Sequence, residues 1–276
     1  MEKKFILTDK FVINSFGIKL FQIKCTKSFK YAQKGDFGGY VEKEGNLDQE
    51  NDAWVFGNAR VFGNARVSGD ARVSGNAEVS GDARVYGNAE VSGDARVSDN
   101  AWVSGDARVS GDAWVSGNAW VSGDARVSDN AWVSGDALVS GYAWVSGDAR
   151  VSGDARVSGD ARVSGDARVS GDARVSGDAR VSGDARVSGD ARVYGNAEID
   201  NNNKHCGFDC FGSANRHTHA YLTKENKVEI TCGCFRGSIE EFEKRVEETH
   251  SGTIYEKQYK AIIDVIKIKF GLTDLI

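Results

Sequence analysis

From Val55 to Glu198 the chain repeats every six residues, 24 times over, with no residue inserted. The commonest form is Val-Ser-Gly-Asp-Ala-Arg; every hexad opens with Val and carries Ala at its fifth place. The third place is Gly except at Asp99 and Asp129, and the fourth is Asp or Asn except at Tyr142. Eight consecutive hexads, Val145 to Arg192, are identical. Disordered low-complexity tracts seldom hold an apolar residue at strict period, so the fixed Val and Ala mark buried positions. With 33 glycines and no proline in 276 residues, a collagen-like or proline-rich linker architecture is excluded.

Six residues suffice for one short strand and one corner. In Ala-Arg-Val-Ser, strand alternation sends Ala and Val to one side and Arg to the other. Ser-Gly-Asp then turns the chain, with Gly free to take positive φ and Asp or Asn able to bond nearby backbone. Three such units close a triangular coil of 18 residues whose narrow interior Val and Ala fill. The repeats therefore predict eight coils, each hydrogen-bonded to the next in parallel, stacked to roughly 38 Å at about 4.8 Å per strand.

An aliphatic residue followed at fixed distance by a small one, every six residues, resembles the hexapeptide repeat of left-handed β-helix proteins. The resemblance covers all 24 hexads and implies a left-handed solenoid similar to that of bacterial hexapeptide transferases. The flanks, Lys34 to Glu42 (KGDFGGYVE), Cys232 to Phe242 (CGCFRGSIEEF) and Val246 to His250 (VEETH), resemble a group of uncharacterised phage and prophage proteins. That likeness implies an architecture and a bacterial setting rather than an activity.

Open solenoid ends expose sheet edges and need caps. Residues 1–54 supply the first, read as a β-hairpin: Phe11 to Asn14, a turn at Ser15-Phe16-Gly17, then Ile18 to Lys24. Gln49 sits where Val should be, so the first coil is expected to be imperfect. Residues 55–198 are the solenoid. Residues 199–276 read as a small α+β C-terminal domain, with a hairpin Ala220–Lys224 and Lys227–Cys232 across Glu225-Asn226. Ser238 and Glu241 form a capping box for a helix from Ile239 to Thr249. A last helix, from about Tyr255 to Phe270, presents Tyr259, Ile262, Ile263, Ile266 and Phe270 on one face. The whole is mainly β: a parallel β-helix of about eight coils between an N-terminal β cap and a C-terminal α+β domain.

Charge narrows the functional classes. The repeats hold 15 Arg against 17 Asp and 3 Glu, and every lysine lies in the flanks. Arg and Asp ladders interleave on the outer surface, so no basic stripe stands free of its acids and a nucleic-acid polymer is disfavoured as partner. No run of about 18 apolar residues marks a membrane span. Five cysteines, an odd number, and no secretory signal at the start point to a reduced, cytoplasmic protein.

Hexapeptide acyltransferases, as the resemblance implies, use a histidine base at a subunit boundary and a loop thrown out from a coil. Here no loop interrupts the hexads and the first histidine is His205, so a coenzyme A-dependent acyltransferase is the alternative reading rather than the first. No cofactor is expected. His205, Cys206, Cys210, His217, His219, Cys232 and Cys234 cluster in sequence and could supply zinc ligands. Their spacing departs from paired Cys-x2-Cys, so buried thiols in a reduced domain are the preferred reading and zinc is not favoured.

The informative departure is aromatic. The outward sixth place becomes Trp at 102, 114, 120, 132 and 144 and Leu at 138. Residues 18 apart stack, giving the ladder Trp102, Trp120, Leu138 on one face and Trp114, Trp132 on the next, with Trp144 and Tyr142 on the third. Contiguous exposed aromatic area more often marks an interface than tolerated surface tryptophan. The sequence therefore reads as a non-catalytic scaffold or interaction protein that self-associates, as a trimer in one version, or binds a host protein; sequestration of a small signalling nucleotide is a further alternative.

Overall fold

The computed structural model describes residues 2–272; Met1 and the last four residues of the C-terminal segment lie outside them. Each hexad contributes a two-residue strand made of its outward residue and the next Val, as in Arg60–Val61 and Arg126–Val127. The Val and Ala side chains of the repeats are almost all fully withdrawn from water. Strands 18 residues apart pair in parallel and in register, Val109 beside Val127 and Val127 beside Val145. Arg126 N donates to Ala143 O at 2.9 Å and Ser128 N to Val145 O at 3.0 Å, so the ladder runs on into the corner. There the glycines hold φ between +57° and +71°. A Cβ on Gly75 would lie 2.7 Å from the carbonyl oxygen of Gly93, so the stacking distance itself selects glycine.

The rungs form three faces. The first runs from Arg60–Val61 to Arg186–Val187, the second from Trp54–Val55 to Glu198–Ile199, and the third from Arg66–Val67 to Arg192–Val193. On the first face the sheet continues into β3 (Phe37–Val41), β2 (Lys19–Cys25) and β1 (Phe5–Ile13). Strands β1 and β2 are the expected hairpin, antiparallel through Val12 opposite Leu20.

The solenoid has about nine turns rather than eight. Val41 pairs in parallel with Val61 and Leu47 with Val67, and both are buried, so Val41, Leu47 and Val55 are the three inward rung residues of an additional first turn. Two extra residues between Leu47 and Val55 hide this turn from a strict six-residue count. Gln49 is therefore no failed core position. Its Oε1 accepts from the backbone N–H groups of Lys4 (2.8 Å) and Phe5 (3.2 Å), and its Nε2 donates to Phe5 O, pinning β1 across the open end. The Lys4 ammonium, buried there, donates to the carbonyl of Ala53 at 2.9 Å, and desolvation draws its pKa down to about 8. Trp54, outward on its rung, lies under this cap against Phe5 and Phe29.

At the other end Tyr221 is fully buried against the last turn, and Ala197 bridges Thr223. The C-terminal part is a four-stranded antiparallel sheet, His205–Phe211, Arg216–Leu222, Val228–Cys232 and Phe235–Gly237, backed by α1 (Ile239–His250) and α2 (Ile254–Lys269). The capping box is present: Glu241 N donates to Ser238 Oγ and Ser238 N to Glu241 Oε2. The strand His205–Phe211 is not apparent in the sequence, because its pattern of His, Cys, Gly and Asp lacks apolar alternation. Among the described residues no helix is long and apolar enough to cross a membrane.

Candidate functional site

The outward place of each hexad is where the coils differ. Trp102 lies beside Trp120 and Trp120 beside Leu138 on the third face; Trp114 lies beside Trp132 on the first; Trp144 stands on the second between Arg126 and Arg162. Tyr142 sits at the corner between third and second faces and is 68% exposed. The two ladders Trp102–Trp120–Leu138 and Trp114–Trp132 form as expected, whereas Tyr142 lies at a corner apart from Trp144 and the set spans three faces of a prism that one flat partner cannot cover at once. The first- and third-face ladders are neighbours across a single corner, and they make the larger patch.

These tryptophans are ordered rather than loose. The Nε1–H of Trp114, Trp120, Trp132 and Trp144 donates to the corner Ser of the preceding turn, Ser98, Ser104, Ser116 and Ser128, at 3.1–3.3 Å. Trp114 and Trp132 stack with ring centroids 5.2 Å apart and planes within 4°. Trp102 meets Trp120 edge to face at 5.6 Å, and the Arg84 guanidinium lies 5.1 Å over the Trp102 ring. Along the shared corner Asn100 donates to Asn118 and Asn118 to Asp136. Beside these rings a groove of about 500 Å³ runs between Asp82, Asn100 and Asn118 on one side and Arg84, Trp102 and Trp120 on the other.

The expected interleaved Arg–Asp pairing does not form. Among the described residues the ion pairs within the repeats are vertical, Arg60 with Glu78 at 3.2 Å and Arg72 with Glu90 at 3.1 Å. Asp occupies the corner and Arg the face, so their charged ends stand apart. The third face carries no glutamate at all; its outward residues are Arg66, Arg84, Trp102, Trp120, Leu138, Arg156, Arg174 and Arg192.

At its lower end this face is roofed. The C-terminal hairpin of strands His205–Phe211 and Arg216–Leu222 places Asn215, Arg216 and His217 over it, and the turn at Gly233 accepts from Arg192 Nη1 at 2.7 Å. The cleft so formed, about 520 Å³, has Arg156, Arg174 and Arg192 along its floor and Asp154, Asp172 and Asp190 along one rim. By sequence these hexads are copies of one another; the overhanging hairpin makes three of the copies unlike the rest.

The His/Cys set is dispersed. His205 Nδ1 lies 3.1 Å from His219 Nε2, and His219 Nδ1 lies 3.3 Å from Arg192 O. Burial draws His205 down to about 4 and His219 to about 3, the latter helped by His205 beside it, so both are neutral near pH 7. His217 pairs with Asp209. Cys232 is buried against Thr218 and Tyr259, while Cys234 is exposed past the positive-φ Gly233. Cys206 is held up to about 11 by burial, and Cys210 is exposed. Among the described residues no three His, Cys, Asp or Glu side chains converge to hold a metal ion. His250 stacks on Tyr259 at 5.4 Å.

The repeat unit, defined by buried Val and Ala with a glycine corner, matches the YdcK β-solenoid repeat at thirteen overlapping stretches that together span residues 53–81 and 89–198, just over half of the chain. The chain belongs to the YdcK β-solenoid repeat family. Within this YdcK-type solenoid the matched stretches contain both the aromatic ladders and the floor of the cleft. No curated protein matches the chain.

Proposed function

We propose that this YdcK-type solenoid is a non-catalytic interaction scaffold, of the phage or prophage kind that its flanks resemble, acting in the bacterial cytoplasm through its aromatic ladders. The observation that carries the reading is the set of Trp Nε1–Ser bonds. They hold half-exposed indoles in fixed rows on a rigid backbone, where they serve no part of the core. Pre-ordered aromatics lose little side-chain freedom on association, and buried aromatic anchors carry a disproportionate share of binding energy. The partner is a second copy of the chain or a host protein, either of which would cover the aromatic rows that flank one corner.

Acyl transfer finds less support. The repeats contain no histidine, and of the four in the chain the buried His219 is paired with the half-buried His205. Returning Trp102, Trp114, Trp120, Trp132 and Trp144 to Arg restores the commonest hexad, so the variant should fold as well as the parent. Its mass in solution should drop to that of the monomer. An oligomer of unchanged mass, or a parent that is already monomeric and captures nothing, removes self-association through the belt. Turnover of acetyl-coenzyme A by the parent would instead favour the enzyme.

A further inference from the structure

We infer that the cleft between the third face and the C-terminal hairpin is a binding site for a linear oligophosphate, free or as the tail of a nucleotide. The floor residues Arg156, Arg174 and Arg192 are in register on successive parallel rungs, which spaces three guanidiniums in line at about 4.8 Å. Among the described residues none of the three lies in an ion pair, although Arg192 donates to Gly233 O. Arg216 faces them from the opposite wall, making a four-cation channel of about 520 Å³. His217 lines the same cleft with its side chain 8% exposed and its Nε2 without a partner.

A row of planar guanidiniums fits a chain of anionic groups better than a single anion, and its fork geometry fits phosphoryl oxygens. The Asp154, Asp172 and Asp190 rim, parallel to the floor, accepts from hydroxyl groups and repels broad polyanions, so a narrow chain enters where a duplex does not. The fold contains its own control. Arg150 and Arg168 on the first face have the same hexad sequence as Arg156 and Arg174 and stack in the same way, with Trp132 beside Arg150 where Leu138 stands beside Arg156, but they have no roof.

The site is separate from the aromatic ladders, so the two readings fail independently. Isothermal titration of the full chain with inorganic tripolyphosphate, adenosine triphosphate and citrate tests it. We expect one phosphate-bearing ligand per chain, weakened at least tenfold by Arg216→Gln and by the pair Arg156→Gln with Arg174→Gln. The pair Arg150→Gln with Arg168→Gln, and the fivefold Trp→Arg variant, should leave the affinity unchanged. Deleting Val157 to Arg162 slides another identical hexad under the hairpin and should also preserve it. Equal affinity for tripolyphosphate and the nucleotide identifies the phosphate chain as the ligand; a tenfold preference for the nucleotide identifies its tail within a larger site. No binding of either phosphate at millimolar concentration overturns the inference, as does equal binding of citrate or equal loss in the first-face pair. Circular dichroism of each variant reports that the solenoid is intact.

Discussion

Val127 and Ile263 are both withdrawn from water, but they are buried in different ways. Val127 lies between Val109 and Val145, residues of the same kind at the same place one turn above and below. Ile263 lies among Ala220, Ile230, Phe242 and Tyr259, each supplied once by a different element. The solenoid interior is one solution repeated, so its stability is a sum of nearest-neighbour contacts. The C-terminal core is a single cooperative assembly with no spare copies. The two regions also carry separate reporters: all six tryptophans precede residue 145, and all four histidines follow residue 204.

That contrast breaks first in the core of the C-terminal part. Ile263→Ala leaves a cavity in an interior without a duplicate and should cost about 2–5 kcal/mol. Because the solenoid does not depend on that core, tryptophan fluorescence should melt as in the parent, while hydrogen exchange of residues 216–266 loses protection at lower temperature. A common shift of both signals would show that the two regions unfold as one.

Acid should separate them next. His205 and His219 have folded-state pKa values of about 4 and about 3, below the ordinary 6.5, chiefly because burial disfavours the charged ring. A depressed histidine lends stability that is complete above about pH 6.5 and is lost as pH falls toward the folded value, since the unfolded chain takes up the proton first. The loss should reach roughly 2–3 kcal/mol for each ring by pH 4.5. Exchange protection of residues 205–232 should fall over that window while the solenoid, which has no histidine, keeps its tryptophan fluorescence. A C-terminal part equally protected at pH 7 and pH 4.5 contradicts the burial of this pair.

Within the solenoid the corresponding change is smaller and can be moved along the axis. Ala125→Leu overpacks one turn and should cost about 1–3 kcal/mol, and Ala173→Leu, at the same place of an identical hexad, should cost the same. Arg126→Lys, outward on the next rung position, should be silent. Unequal costs at Ala125 and Ala173 would show that turns are not interchangeable inside, and an unchanged melting temperature for both would remove the filled triangular core.

What could be read in advance follows the same division. Val and Ala at fixed period announce the solenoid because each position is tested 24 times by the same geometry. The first turn escaped because two residues between Leu47 and Val55 break the count, although Val41 and Leu47 precede Val61 and Val67 by an equal interval. The aromatic ladders were legible from spacing alone; the Ser partners of their indoles, 16 residues earlier, were not, since they need the backbone geometry. The cleft was illegible for a different reason. Its floor is made of residues that the sequence cannot tell from their copies, and only the position of Arg216 and His217 over the third face distinguishes them.

The smallest effect concerns the two corners that lack glycine. Asp99 and Asp129 both adopt φ of +59°, a region in which a side chain is strained. Each compensates locally: the Asp99 carboxylate accepts from Gly117 N and that of Asp129 from Gly147 N, both at 3.1 Å. Glycine corners leave that N–H without a side-chain acceptor. Asp129→Gly therefore relieves strain and loses one charge-assisted bond, each worth about 1 kcal/mol, and should change stability by little. Asp129→Ala keeps the strain and loses the bond, and should cost about 1 kcal/mol. The pair of variants separates the two contributions by thermal unfolding followed through Trp132 and Trp144, the nearest fluorophores. If Asp129→Ala proves as stable as Asp129→Gly, the left-handed corner imposes no strain there. The bond to the next turn is then what the aspartate supplies, and the glycine at the other corners is selected by the approach of the turn below rather than by its dihedral angle.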